Sequence, residues 1–199
     1  QGYRYLETIG KVKIYENKNA LSIGITYDSY IRKSIFSKYD DEVQRLILLS
    51  SVVLSDDANT ELREVSIKEL DELKDDIERR GSNLVYNDIV QERKKDMLKI
   101  TSWLEDDIIG TISVSEDKFL VLSIPNVAGW TIFVDGEAVE TQNANIGFMG
   151  IYLEEGEHTV EAKTIIPGVV ITLCAVGIYV GLIIVDKKIS NKKQKNERT

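Results

Sequence analysis

Hydrophobic and polar positions alternate in short runs at both ends of the first 160 residues and follow a helical period in between. Val12 and Ile14, then Leu21, Ile23 and Ile25, alternate with polar neighbours. They are separated by Glu16-Asn17-Lys18-Asn19, so residues 11–27 read as two short strands joined by a turn. From Asp40 the pattern changes. Three acidic residues precede Val43, Leu46, Ile47 and Leu49 at helical spacing, which predicts a helix over about 40–54. Ser66-Ile67-Lys68-Glu69 is a capping box, in which each side chain satisfies a free backbone N–H of the other residue. Ile67, Leu70, Leu73 and Ile77 continue one apolar face to a glycine stop at Gly81, which predicts a second helix over about 67–80.

Beyond Gly110 the period returns to two. Residues 110–115 alternate cleanly, Phe119 to Ile124 form an apolar run ending at Pro125, and Trp130 to Val134 precede Asp135-Gly136, a strong hairpin signal. Phe148–Leu153 and His158–Ala162 flank Glu154-Glu155-Gly156-Glu157 and read as a further hairpin. The expected fold is mainly β, an antiparallel β-sandwich with a helical insertion.

The last pattern is different in kind. Ile165 to Val185 is an uninterrupted uncharged segment, long enough as a helix to span roughly 30 Å of hydrocarbon. Gly177 and Gly181 form a small-xxx-small pair that lets a second membrane helix approach closely. After Val185 come six basic residues against Asp186 and Glu197, which places the tail in the cytoplasm and residues 1–164 outside. The expected organisation is therefore an extracytoplasmic β-rich domain over 1–164, a transmembrane helix over 165–185 and a basic cytoplasmic tail over 186–199. The chain begins at Gln1 without an export signal, so it is expected to be the C-terminal piece of something longer, or a processed form.

Charge and rare residues narrow the chemistry. The chain carries 25 basic and 33 acidic residues, a net charge of −8, which argues against nucleic-acid binding. The single histidine, His158, excludes a multi-histidine metal site, and the single cysteine, Cys174, excludes an intrachain disulfide. No nucleophile–base pair and no phosphate-cradling glycine loop is present, so no catalytic or metal-ligating residue is assigned. Trp130 offers a ring on which a sugar can stack, against the competing role of core packing at the head of an apolar strand. Asn17, Tyr27 and Asp28 belong to a polar-aromatic cluster of the kind carbohydrates bind, although Asn17 also serves as a turn former.

Two blocks carry a resemblance. YENKNALSIGITYDSYI, residues 15–31, and LVLSIPNVAGWTIFVDGEAVETQNANIGFMGIYLEEGEHTVE, residues 120–161, resemble the C-terminal part of the YfhO family of bacterial multi-pass membrane proteins. In that family the second block leads through a Pro-Gly, here Pro167-Gly168, into the last membrane helix. Asn126 stands where the family often has tyrosine, and residues 55–100 carry little of the likeness. The resemblance implies a protein of the bacterial cell membrane, similar to glycosyltransferases of cell-envelope polymers that use a polyprenyl-phosphate sugar as donor. It implies catalytic residues upstream of this chain and an accessory or acceptor-binding role for this part, with no cofactor held here. The implied partners are membrane lipid, sister transmembrane helices and a surface glycan or polymer. The competing expectation is a single-pass, membrane-anchored adhesion module without catalysis.

Overall fold

A computed structural model of the chain describes residues 2–164 and 167–196, leaving aside the side chains of 167–171, 173, 186 and 189–196. It forms two compact units, the first ending at Lys163 and the second beginning at Thr164.

The first unit opens with an antiparallel hairpin of β1 (Tyr3–Ile9) and β2 (Val12–Asn17), followed by β3 (Gly24–Tyr27). The expected pairing across Glu16–Asn19 does not form. The positive φ of Gly10 closes an earlier turn, so β2 pairs back with β1, while β3 is recruited by a strand a hundred residues away.

An α/β insertion follows: β4 (Ser29–Arg32), α1 (Lys33–Phe36), α2 (Asp41–Ser50), β5 (Val52–Leu54), β6 (Arg63–Glu64), α3 (Ile67–Arg80) and α4 (Ser82–Arg93). Its three strands are parallel, in the order β5-β4-β6, so the insertion is more than helical. The helix expected over 40–54 stops four residues short of its expected end. Asp40 caps it by accepting from the Glu42 and Val43 N–H groups, and it ends at Ser50. Val52 and Val53, stiff β-branched residues, pair in parallel with Tyr30 and Ile31 instead. Asn145 fixes this strand from the far side, accepting from Val53 N–H at 2.9 Å and donating its own N–H to Val53 C=O. The second expected helix forms over its predicted length. The Ser66–Glu69 capping box is complete, and the chain turns at Gly81 with φ +86°.

The remaining strands are β7 (Lys99–Trp103), β8 (Asp107–Val114), β9 (Lys118–Pro125), β10 (Trp130–Val134), β11 (Glu137–Val139), β12 (Gln142–Ala144), β13 (Phe148–Leu153) and β14 (Gly156–Thr164). They build two sheets, β11-β10-β14-β8-β7 and β12-β13-β9-β3. The Asp135-Gly136 hairpin joins β10 to β11 as predicted. The second expected hairpin is corrected: β13 pairs with β9 and β12, and β14 with β8 in the other sheet, so residues 154–155 cross between sheets. Apolar faces on both strands allow this, because each faces the shared interior.

That interior holds Ile112, Leu120, Leu122, Ile132, Met149 and Val160. Each fully buried large side chain stabilises the fold by roughly 1.5–3 kcal/mol. β8 buries alternate residues, whereas β9 is buried on both faces. Leu120 and Leu122 face the sandwich core, while Phe119 and Val121 join Tyr27, Tyr30, Val52 and Leu54 in a cluster under the insertion. The insertion thus covers the outer face of the smaller sheet, and the loops at their joint form a cleft.

The second unit contains α5 (Pro167–Asn196). Among the described residues no helix is long and apolar enough to cross a membrane. Ile165 and Ile166, the first residues of the expected span, lie outside the described residues. Ile178, Tyr179, Val180, Leu182, Ile183 and Ile184 are exposed, and a stretch this close to continuous leaves no polar face over these turns.

Candidate functional site

A cavity of about 720 Å³ lies where the insertion meets the smaller sheet. Asp28 enters it from the β3–β4 junction, Asn59 to Arg63 from the loop before β6, Glu116 to Lys118 from the β8–β9 turn, and Tyr152 to Glu154 from the end of β13. Lys118 is its most enclosed charge, with 10% of its side chain exposed. Its ammonium meets Glu116 closely and Asp28 at 3.8 Å, which keeps a nearly buried cation neutralised. Asp117 accepts from Glu155 N–H at 2.9 Å and so fixes the crossing between sheets. Tyr152 donates its hydroxyl to Thr60, closing one wall from the insertion side.

The floor is rigid. The Tyr152 ring stands edge-on to Phe119, with centroids 4.9 Å apart and planes at 79°. Phe119 is fully buried and occupies the space that a side chain at residue 150 would need: a Cβ there would lie 2.3 Å from its ring. Gly150 therefore permits this edge-to-face pair. Tyr27 is also fully buried beneath this region. Its hydroxyl donates to Leu48 C=O at 2.7 Å, Arg93 lies 5.1 Å from its ring centroid, and burial pushes its pKa up to about 12.

Of the residues expected to bind carbohydrate, only Asp28 reaches the cleft. Tyr27 is corrected from ligand contact to support, because full burial leaves no ring face for a sugar. Trp130 is partly buried and packs against the sandwich core. Asn17 closes the end of β2, its side chain accepting from Asn19 N–H at 2.9 Å. The structure does not bring these four together. Gly177 and Gly181 have open space around them within the chain. Sequence reasoning missed Tyr152, Thr60 and Lys118. The available signal was a lysine heading an otherwise apolar strand, a position that burial makes costly unless acids surround it.

A second polar group clamps the Asp135 turn. The Asp135 carboxylate accepts from Thr159 N–H at 2.8 Å and from His158 Nδ1 at 2.7 Å, while Nε2 of the ring lies 2.9 Å from Glu154 C=O. Both ring nitrogens thus face acceptors, an arrangement satisfied by the protonated imidazolium. The neighbouring Asp135 raises the His158 pKa, and the Thr159 N–H followed by His158 lowers that of Asp135. With both nitrogens occupied and Asp135 tied to the backbone, this pair is a structural clasp on the hairpin. Among the described residues no cluster of three or more His, Cys, Asp or Glu side chains could hold a metal ion.

The cleft therefore offers carboxylate and hydroxyl acceptors, one enclosed ammonium and a half-exposed tyrosine ring. Such groups can accept hydrogen bonds from hydroxyls, and among the described residues the cleft holds no activated nucleophile. Comparison with known proteins gives one family match: residues 82–175 match the family described as bacterial membrane protein YfhO. No curated protein and no solved structure matches the chain.

Proposed function

We propose, from the match of residues 82–175 to the family described as bacterial membrane protein YfhO, that the first unit is an extracytoplasmic accessory domain that holds a surface glycan for a membrane-bound glycosyltransferase. The polyprenyl-phosphate sugar donor and the catalytic acid belong, in this reading, to membrane-embedded parts outside this chain. The cleft between insertion and sandwich takes the acceptor, with Tyr152 stacking on a sugar ring and Asp28 and Glu154 accepting from its hydroxyls. Its carboxylates outnumber its cations, which favours uncharged sugars over a polyphosphate chain. In this reading the uncharged segment 165–185, part of which lies outside the described residues, spans the bilayer with the lysine-rich end in the cytoplasm. The exposed apolar side chains between Val176 and Val185 support this, because water does not stabilise such a surface.

The observation that carries the reading is the built cleft where the insertion meets the smaller sheet, floored by the buried Phe119 and Tyr27. Titration of the detergent-solubilised chain with neutral cell-wall oligosaccharides tests it. Tyr152→Ala is expected to weaken binding about tenfold, a stacking loss of roughly 1–1.5 kcal/mol. If neither form binds, the acceptor role is wrong. Binding that persists in the whole protein while having no effect on glycosyl transfer would favour the adhesion module.

A further inference from the structure

The β1–β2 hairpin has surface features that the cleft does not use. Tyr3, Tyr5, Leu6, Ile9, Val12 and Tyr15 are between 49% and 67% exposed, so nothing in the first unit covers them. A two-stranded ribbon is at best marginally stable alone in water, and this one is tied to the unit at its base, where Lys18 N–H donates to Gly2 C=O and Asn19 bonds Asn87. The turn is flanked by Ile9 paired with Val12. Farther back, Tyr5 pairs with Tyr15, their rings T-shaped at 5.7 Å. Between Thr8 and Tyr15 the only charged residues are Lys11 and Lys13, in a chain of net charge −8.

We propose that this hairpin tip is a membrane-surface anchor that inserts into an anionic phospholipid interface. Ile9 and Val12 enter the acyl boundary, Lys11 and Lys13 meet the phosphates, and the Tyr5–Tyr15 pair sits at headgroup level. The spacing fits. Val12 to Tyr15 is about 10 Å at roughly 3.3 Å per residue, and interfacial elements bury their apolar parts about 5–10 Å deep. Strand alternation places Val12 and Tyr15 on opposite faces of the ribbon. A flat protein surface covers one face, whereas a fluid interface wets both. The basic charge at the tip is complementary to anionic lipid and opposes pairing with the same tip of a second copy.

The test uses the full chain carrying Cys174→Ser and Val12→Cys, labelled with an environment-sensitive fluorophore and reconstituted into phosphatidylcholine vesicles with or without phosphatidylglycerol. A label at Glu137→Cys, on exposed β11, is the control. The expected result is a blue shift at position 12 that shallow spin-labelled lipids quench. It should be strongest with phosphatidylglycerol and several-fold weaker in Lys11→Glu/Lys13→Glu, whose circular dichroism is unchanged. A water-exposed label at position 12 in every vesicle overturns the proposal. So does a blue shift indifferent to the lysine pair, or one that lipid quenchers do not reach and that accompanies a position-12 disulfide dimer. Helix α5 carries no label, so its own insertion does not move the readout.

Discussion

The sandwich buries long antiparallel strands of aliphatic side chains between two sheets. The α/β insertion packs three short parallel strands, one of them only Arg63–Glu64, against helices through a smaller apolar cluster that includes Ile31, Val43, Ile47 and Leu70. The sandwich strand β9 contributes to two apolar clusters at once. The insertion ties its strand ends with polar bonds: Arg32 reaches Glu64 at 2.8 Å and the Asp56 C=O at 2.8 Å, and Arg63 reaches Glu69 at 2.7 Å. The family match, residues 82–175, takes in α4 and every sandwich strand from β7 onward but not the parallel strands. Both regions have an apolar core that salt cannot screen, and the insertion adds exposed polar bonds at its strand ends that acid and salt can weaken.

The comparison breaks most sharply at Phe119, which belongs to the joint between the two regions. Phe119→Ala is expected to destabilise the first unit by about 4 kcal/mol, the scale for emptying a buried aromatic site. Chemical denaturation checks this. If insertion and sandwich then unfold in separate transitions, Phe119 is the link that makes them cooperative; a single transition would mean that other contacts suffice.

The next effect is local to the insertion. Ser66→Ala removes the N-cap of α3 and is expected to cost about 1 kcal/mol. Amide exchange should rise in α3 and leave β9 unchanged. The Glu69 partner has its pKa lowered to about 2, first by the Ser66 backbone N–H, then by its hydroxyl and Arg63. A depressed carboxylate contributes its stabilisation fully above its unfolded pKa and loses it as pH falls through the folded one. The insertion should therefore loosen between about pH 4.5 and pH 2, and Ser66→Ala should flatten that dependence.

The smallest effect lies in the sandwich. The folded pKa of His158 is raised, so its contribution is complete below the ordinary histidine pKa of 6.5 and is lost as pH rises through the folded value. Asp135 is half exposed, so solvent screening limits the loss to below about 1 kcal/mol. A thermal melt at alkaline pH should show a small drop that His158→Gln abolishes. An equal drop in the variant would assign the dependence elsewhere.

Much of this was legible along the chain. The Ser66–Glu69 box, the Gly81 stop, the Asp135-Gly136 turn and the β9 and β10 runs are local signals, and each formed where its residues predicted. The site was mostly not legible. Asp28 was singled out and lines the cleft, but Tyr152 and Thr60 meet across 92 positions, and no spacing rule reports such a contact. Tyr27 had the composition of a binding residue and the position of a core residue, and its burial depends on Arg93 and Asn145 arriving from distant segments.

The sequence by itself determined which segments are periodic, where they are capped and which faces are apolar, because these depend on neighbours a few residues apart. Tertiary structure alone decided the partners. It paired β2 with β1 instead of β3 and turned Val52–Leu54 from helix end to parallel strand. It also sent β13 and β14 to opposite sheets. An apolar face specifies that it must be covered, not by what. The choice follows from the summed burial of segments far apart in the chain, and the cleft exists where those choices meet.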